Sequence, residues 1–164
     1  PSFDTSEVAE IWQPMIWQEK RFPAQSYLTL AYRCPLPTAL VTAGGSTYGV
    51  VADPSEFPFD PLPLAENSRF GVAVRNDEGR AQPLMFAPVL GGSGSSMQPG
   101  DSFNFTMEIF LEPAHMLTAY KTLAREVYHF HDYRSNGPHQ LNRTLSNMVE
   151  YGMSSFTHFV YSLK

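Results

Sequence analysis

The chain has 164 residues, a formal net charge of −5 and one cysteine, Cys34. That length suits one domain, or one domain with an added piece, and the 43% hydrophobic and 16% charged fractions describe a globular chain able to bury its own core. A lone cysteine excludes an internal disulfide, the lack of a basic block leaves no footprint for nucleic acid, and no apolar run nears the roughly 20 residues that span a bilayer.

No charged start leads into an apolar run, so no leader is visible and the compartment stays open between cytoplasm and export. At the start, "SEVAEIWQPMIWQ" admits either a short helix ending before Pro14 or a strand over 15–18. Next, "YLTLAYR" (27–33) alternates and is rich in β formers, which predicts a strand. "TALVTAGGSTYGVVAD" predicts a hairpin turning at Gly44-Gly45, with strands over 39–42 and 47–52. "DPSEFPFDPLPL" holds four prolines and reads as a stiffened loop, because proline cannot donate to a sheet ladder. In "SRFGVAVRNDEGRAQPLMFAP", Phe70, Val72 and Val74 alternate with Arg69, Gly71 and Ala73, and the turn at 76–79 closes a second hairpin. After a glycine- and serine-rich loop, "DSFNFTMEIFLE" predicts a strand. It buries Phe103, Phe105, Met107, Ile109 and Leu111 and wets Ser102, Asn104, Thr106, Glu108 and Phe110.

The composition changes near Pro113; all but one of the 14 prolines lie at or before it. Met116, Tyr120, Leu123, Val127 and Phe130 then recur at helical spacing, with Pro113 near the first turn and Asn136-Gly137-Pro138 as the stop. A second helical pattern follows through Leu141, Leu145, Met148 and Gly152 to Phe156, Phe159 and Leu163. The stripe is apolar up to the last residues, which predicts that the sequence is cut at the start of a helical region. The predicted fold is therefore mainly β, an antiparallel sandwich over 1–112, followed over 113–164 by linker helices and the start of a helical domain.

Candidate chemistry is sparse. His129 and His131 bracket one residue, but on a helix such a pair lies about 200° apart and does not share a metal easily. Asp132 and Arg134 suit a linker tied to neighbouring backbone. The "GGSGSS" run from Gly91 lacks the lysine of a phosphate loop. Asp53, Glu56, Asp60 and Glu66 could supply the paired carboxylates of glycoside hydrolysis, but their pattern reads as a solvated acidic loop. The two sequons, at Asn104 and Asn142, read as chance. Trp12, Trp17 and Tyr48 are the candidate carbohydrate contacts, since aromatic faces stack on sugars as readily as they fill cores.

The run "AYKTLAREVYHFHDYRSNGPHQLNRTLSNMVEYGMSSF" resembles a linker and first barrel helix of multidomain bacterial glycoside hydrolases of the six-hairpin, (α/α)6-barrel type. "RFGVAVRNDEGRAQPLMFAPVLGG" and "QPGDSFNFTMEIFLEP" resemble the sandwich strands that precede that linker. The resemblance spans roughly residue 12 to the end, and "DYRSN" at 132–136 and "LNRTLSNMVEYG" at 141–152 carry most of it. It implies a non-catalytic N-terminal sandwich that braces the barrel or shapes one side of its cleft. It also implies Asp132, Tyr133, Arg134 and Asn142 as interdomain linker residues, an intramolecular helical domain as partner, and carbohydrate bound through the whole enzyme. The family's catalytic carboxylates lie on the barrel, so no catalytic residue is carried over, and no metal or cofactor is implied. The rival expectations are a stand-alone carbohydrate-binding module, a structural module whose aromatics are all core, and a small metal enzyme at His129 and His131.

Overall fold

The computed structural model describes residues 1–19, 22–33, 36–57, 68–131 and 141–161, with side chains in the last helix described for 143–154. The chain divides into two compact units, Pro1–Phe130 and His131–Lys164. The predicted boundary at 112/113 is a change in composition. The division by contact comes later, because the helix after the last strand packs on the sandwich.

The first unit is an antiparallel β-sandwich. Its strands are β1 (Val8–Gln13), β2 (Ile16–Glu19), β3 (Thr29–Leu30), β4 (Thr38–Ala43), β5 (Ser46–Ala52), β6 (Gly71–Arg75), β7 (Ala81–Phe86) and β8 (Met107–Glu112). One sheet has the order β2-β1-β4-β5-β8 and the other β3-β6-β7. The predicted hairpins β4–β5 and β6–β7 are both present. Gly44 and Gly45 take φ of 59° and 79°, the positive pair that a two-residue hairpin turn of matching twist requires.

In the opening segment the strand alternative over 15–18 matches β2, and in place of the helix alternative stands β1, the two forming a hairpin turned at Pro14-Met15 with Met15 at φ 73°. Two expectations differ. Residues 27–33 hold only the two-residue β3 and then a 3₁₀ turn, Ala31–Arg33. The strand expected from 101 onward begins only at Met107, and the part of its expected buried row that lies on the strand is exposed, with Met107 50%, Ile109 81% and Leu111 61% accessible, while Phe103 and Phe105 ahead of it are half-buried, Phe105 against the core. The three-stranded sheet faces β1, β4 and β5, so this inward row on the edge strand β8 lies beyond its cover.

Cross-strand register explains the layering. Trp17, Trp12, Leu40, Gly49 and Phe110 form one row across the larger sheet, and Ile11, Val41, Tyr48 and Leu111 form a row on its other face. The second face meets the three-stranded sheet in a core of Ile11, Ala39, Val41, Phe70, Val72 and Val74. The first face is covered by α1 (Met116–Thr122) and the π-helical turn Leu123–Val127 that continues it. Together they build a second core with Met116, Leu123, Trp12, Leu36, Leu40 and Val51. Gly49 fits closely here, since a Cβ at 49 would run into Leu40 Cδ2 and press on the Ala39 carbonyl, so that Leu40 would have to shift.

The predicted helical stripe holds through Met116, Tyr120, Leu123 and Val127. It fails at Phe130, which is 49% exposed. The π turn inserts a residue, with Tyr128 N–H bonding to the Leu123 carbonyl at 3.1 Å, and the stripe passes to Tyr128, whose hydroxyl donates to the Ala52 carbonyl at 3.1 Å. Pro113 lies near the first turn as expected, two residues ahead of the N-cap His115. Asn136-Gly137-Pro138 falls outside the described residues.

The buried side chain of Gln13 ties the two sheets. Gln13 is 1% exposed; its Nε2 donates to the Tyr27 carbonyl at 3.1 Å and to Thr29 Oγ1 at 2.8 Å, and its Oε1 accepts the Val74 N–H at 3.1 Å. Gln13→Leu keeps most of the volume and strands the Val74 donor. It is expected to cost about 1–3 kcal/mol in chemical denaturation and to accelerate hydrogen exchange at the Val74 amide above that of its β6 neighbours.

The second unit is described by α2 (Leu141–Tyr161) alone. Of its predicted stripe, Leu145 is 51% and Met148 64% exposed, and a Cβ at Gly152 would meet nothing within 4 Å; the side chains of Leu141, Phe156 and Phe159, and all of Leu163, lie outside the described residues.

Candidate functional site

The aromatic candidates are distributed over both faces of the larger sheet. Trp12 and Trp17 are directly opposed across β1 and β2 and share the helix-covered face. Trp12 sits inside, 8% exposed, with its ring 5.0 Å from that of Tyr120 in an edge-on contact. Trp17, one strand nearer the edge, is 53% exposed, and its Nε1 donates to Glu10 Oε2 at 3.4 Å. Tyr48 lies on the opposite face, half-buried against Phe3 with ring centroids 4.9 Å apart. The geometry therefore brings Trp12 and Trp17 together and leaves Tyr48 apart. Trp17 is the member of the three positioned to meet a large ligand.

The acidic loop is an internal clamp where it is described. Asp53 caps the 3₁₀ turn Pro54–Glu56 and accepts from the Ser55 hydroxyl and N–H. These two bonds, the hydroxyl's first, hold its carboxyl below the usual carboxylate range. Any stability they contribute is present at neutral pH and is lost as pH falls through the lowered value. A general acid needs the opposite shift. Glu56 Oε2 accepts Arg69 Nε at 3.1 Å, and Glu56 Oε1 accepts the Thr106 N–H at 2.8 Å. Arg69 in turn donates Nη2 to the Asn104 carbonyl at 2.9 Å and lies 5.0 Å over the Phe103 ring. This joins the loop after β5 to the approach to β8. Glu56→Ala removes both bonds and should lower stability by about 1–3 kcal/mol. Glu56→Gln, which keeps an acceptor for Thr106, should cost less in the same urea titration. Asp60 and Glu66 lie outside the described residues.

His129 and His131 are both exposed, His129 at φ 52° just past the π turn. Among the described residues no three His, Cys, Asp or Glu side chains converge as a metal-binding group would. Asp132, Tyr133 and Arg134 lie outside the described residues, as does the side chain of Asn142, whose backbone belongs to α2. Between the sheets, beside Gln13, Phe22 and Tyr27, a cavity of about 10 Å³ has room for a single water.

Sequence reasoning missed the exposed row Met107, Ile109 and Leu111. Its alternation is the ordinary signature of burial, and only the strand's place at the sheet edge leaves it uncovered. No helix among the described residues is long and apolar enough to cross a membrane.

These features define a class: an antiparallel β-sandwich with one outer face sealed by a helix, followed by a long amphipathic helix. Comparison with protein-family models, with curated proteins and with solved structures returns no match.

Proposed function

We propose that this chain is a non-catalytic N-terminal region of a carbohydrate-active enzyme, a glycoside hydrolase in which the sandwich braces a helical catalytic domain or shapes one side of its cleft. The observation that supports the reading most is the order of parts. A sandwich is closed on one face by the segment leaving its last strand, and the chain then enters a 21-residue helix, Leu141–Tyr161, with an exposed apolar face. Two of the candidate carboxylates fit it too: Asp53 is held below the usual carboxylate range, the opposite of what a general acid needs, and Glu56 is committed to Arg69 and the Thr106 N–H. Asp132, Tyr133, Arg134 and Asn142 are the linker residues in this reading.

The test is an immunoprecipitation from source cells with an antibody raised to this chain, followed by sizing and by assay on a panel of polysaccharides and aryl glycosides. A product well above 18.4 kDa that cleaves a glycosidic bond supports the reading. A product at 18.4 kDa, or a larger one inert on the whole panel, overturns it. The rival, direct glycan binding by the sandwich, makes a narrower prediction. Trp17→Ala should leave stability within about 0.5 kcal/mol, as exposed substitutions do. It abolishes retention on an insoluble glycan only if the sandwich itself holds sugar.

A further inference from the structure

β8 ends the five-stranded sheet and, among the described residues, pairs only with β5. The Asp53 N–H donates to the Thr106 carbonyl at 3.1 Å, continuing that ladder by one step. Alternate residues of an antiparallel pair exchange the hydrogen bonds. Glu108, Phe110 and Glu112 therefore turn their backbone groups toward β5, and Met107, Ile109 and Leu111 turn theirs outward. The same three residues carry the exposed apolar row, so one edge offers both a hydrogen-bonding template and a hydrophobic seat.

Other edges are blunted, as sheet edges in folded proteins usually are. β7 contains Pro83, which has no N–H, and the bridge from Phe3 to Ala81 occupies its start. β3 has two residues, and β2 exposes Gln18 and Glu19. β8 has no proline, glycine, bulge or inward-pointing charge.

Charge selects the occupant. Glu108 and Glu112 stand on the other face of β8, and among the described residues neither is within ion-pair distance of a cation. A second copy of β8 fits poorly. Pairing centred on Phe110 sets Glu108 opposite Glu112 of the other copy, and pairing centred on Glu108 sets that residue against itself. Pairing centred on Ile109 leaves the glutamates diagonal, still within reach of one another. We propose that β8 takes up an extended peptide segment as an added strand, with apolar residues at alternate positions over Met107, Ile109 and Leu111 and lysine or arginine at the intervening positions facing Glu108 and Glu112. This does not depend on the carbohydrate reading.

The test is fluorescence anisotropy of the full chain with labelled peptides KVRIKV and EVEIEV. KVRIKV should bind about 10-fold or more tighter than EVEIEV, and N-methylation of its edge-facing amides should abolish uptake. Ile109→Lys, at a site 81% exposed, should fold normally by circular dichroism and lose the peptide. Glu108→Lys with Glu112→Lys should invert the preference toward EVEIEV. Equal binding of both peptides, indifference to Ile109→Lys or to N-methylation, or no uptake at all overturns the proposal. A dimer that forms without peptide and is lost in Ile109→Lys overturns it in favour of a second copy.

Discussion

Phe70→Ala should lower the unfolding free energy by about 3–5 kcal/mol, measured by urea denaturation. Phe70 is fully buried between the two sheets, and its ring lies 5.2 Å from that of Phe105, which packs on the approach to β8. Removing it opens a void in the core that it shares with Ile11, Val41 and Val72. The surrounding strands are fixed by their ladders and cannot collapse into that space, so both the lost burial and the residual cavity contribute. The Phe70 carbonyl also accepts the Ala31 N–H at 3.2 Å, which keeps the backbone in place and makes the loss one of packing. Phe70→Leu, filling most of the void, should recover more than half of the difference. Equal losses in the two variants would show that the aromatic contact with Phe105, rather than volume, holds the sheets together.

Leu123→Ala is expected to cost about 2–5 kcal/mol. The site is the first residue of the π turn, fully buried against the outer face of the larger sheet with Met116, Leu40 and Val51. If the helix were an independent linker, this change would leave the sandwich untouched. Because Trp12 depends on the helix for its cover, the variant should shift intrinsic fluorescence to the red and still unfold in one cooperative step. A wild-type midpoint with unchanged fluorescence would show that the helix contributes nothing to the sandwich.

The parts legible in the sequence are those whose causes are local. The β4–β5 hairpin could be read because Gly44-Gly45 supplies the positive φ values that its turn demands. The β6–β7 hairpin could be read from the Phe70, Val72 and Val74 alternation. The β1–β2 hairpin could not, since Met15 adopts φ 73° and methionine carries no such preference; the tertiary pairing imposes it. The helix after β8 was readable until its π turn, because a fixed 3.6-residue period does not anticipate an inserted residue. At the candidate site, the two tryptophans are indistinguishable by type and spacing. Strand order alone makes one interior and the other peripheral, and strand order is a property of pairings distant in sequence. The same limitation hid the exposed face of β8.

Gly49 and Leu40 have a consequence for how this sequence can diverge. The two face each other across β4 and β5, and the leucine occupies the space that a side chain at 49 would need. Neither position is free to drift alone. A larger residue at 49 is admitted only after 40 has become smaller, and a smaller residue at 40 leaves a gap beneath the helix until 49 grows to fill it. Descendants of this chain should therefore change the pair in that order or retain both.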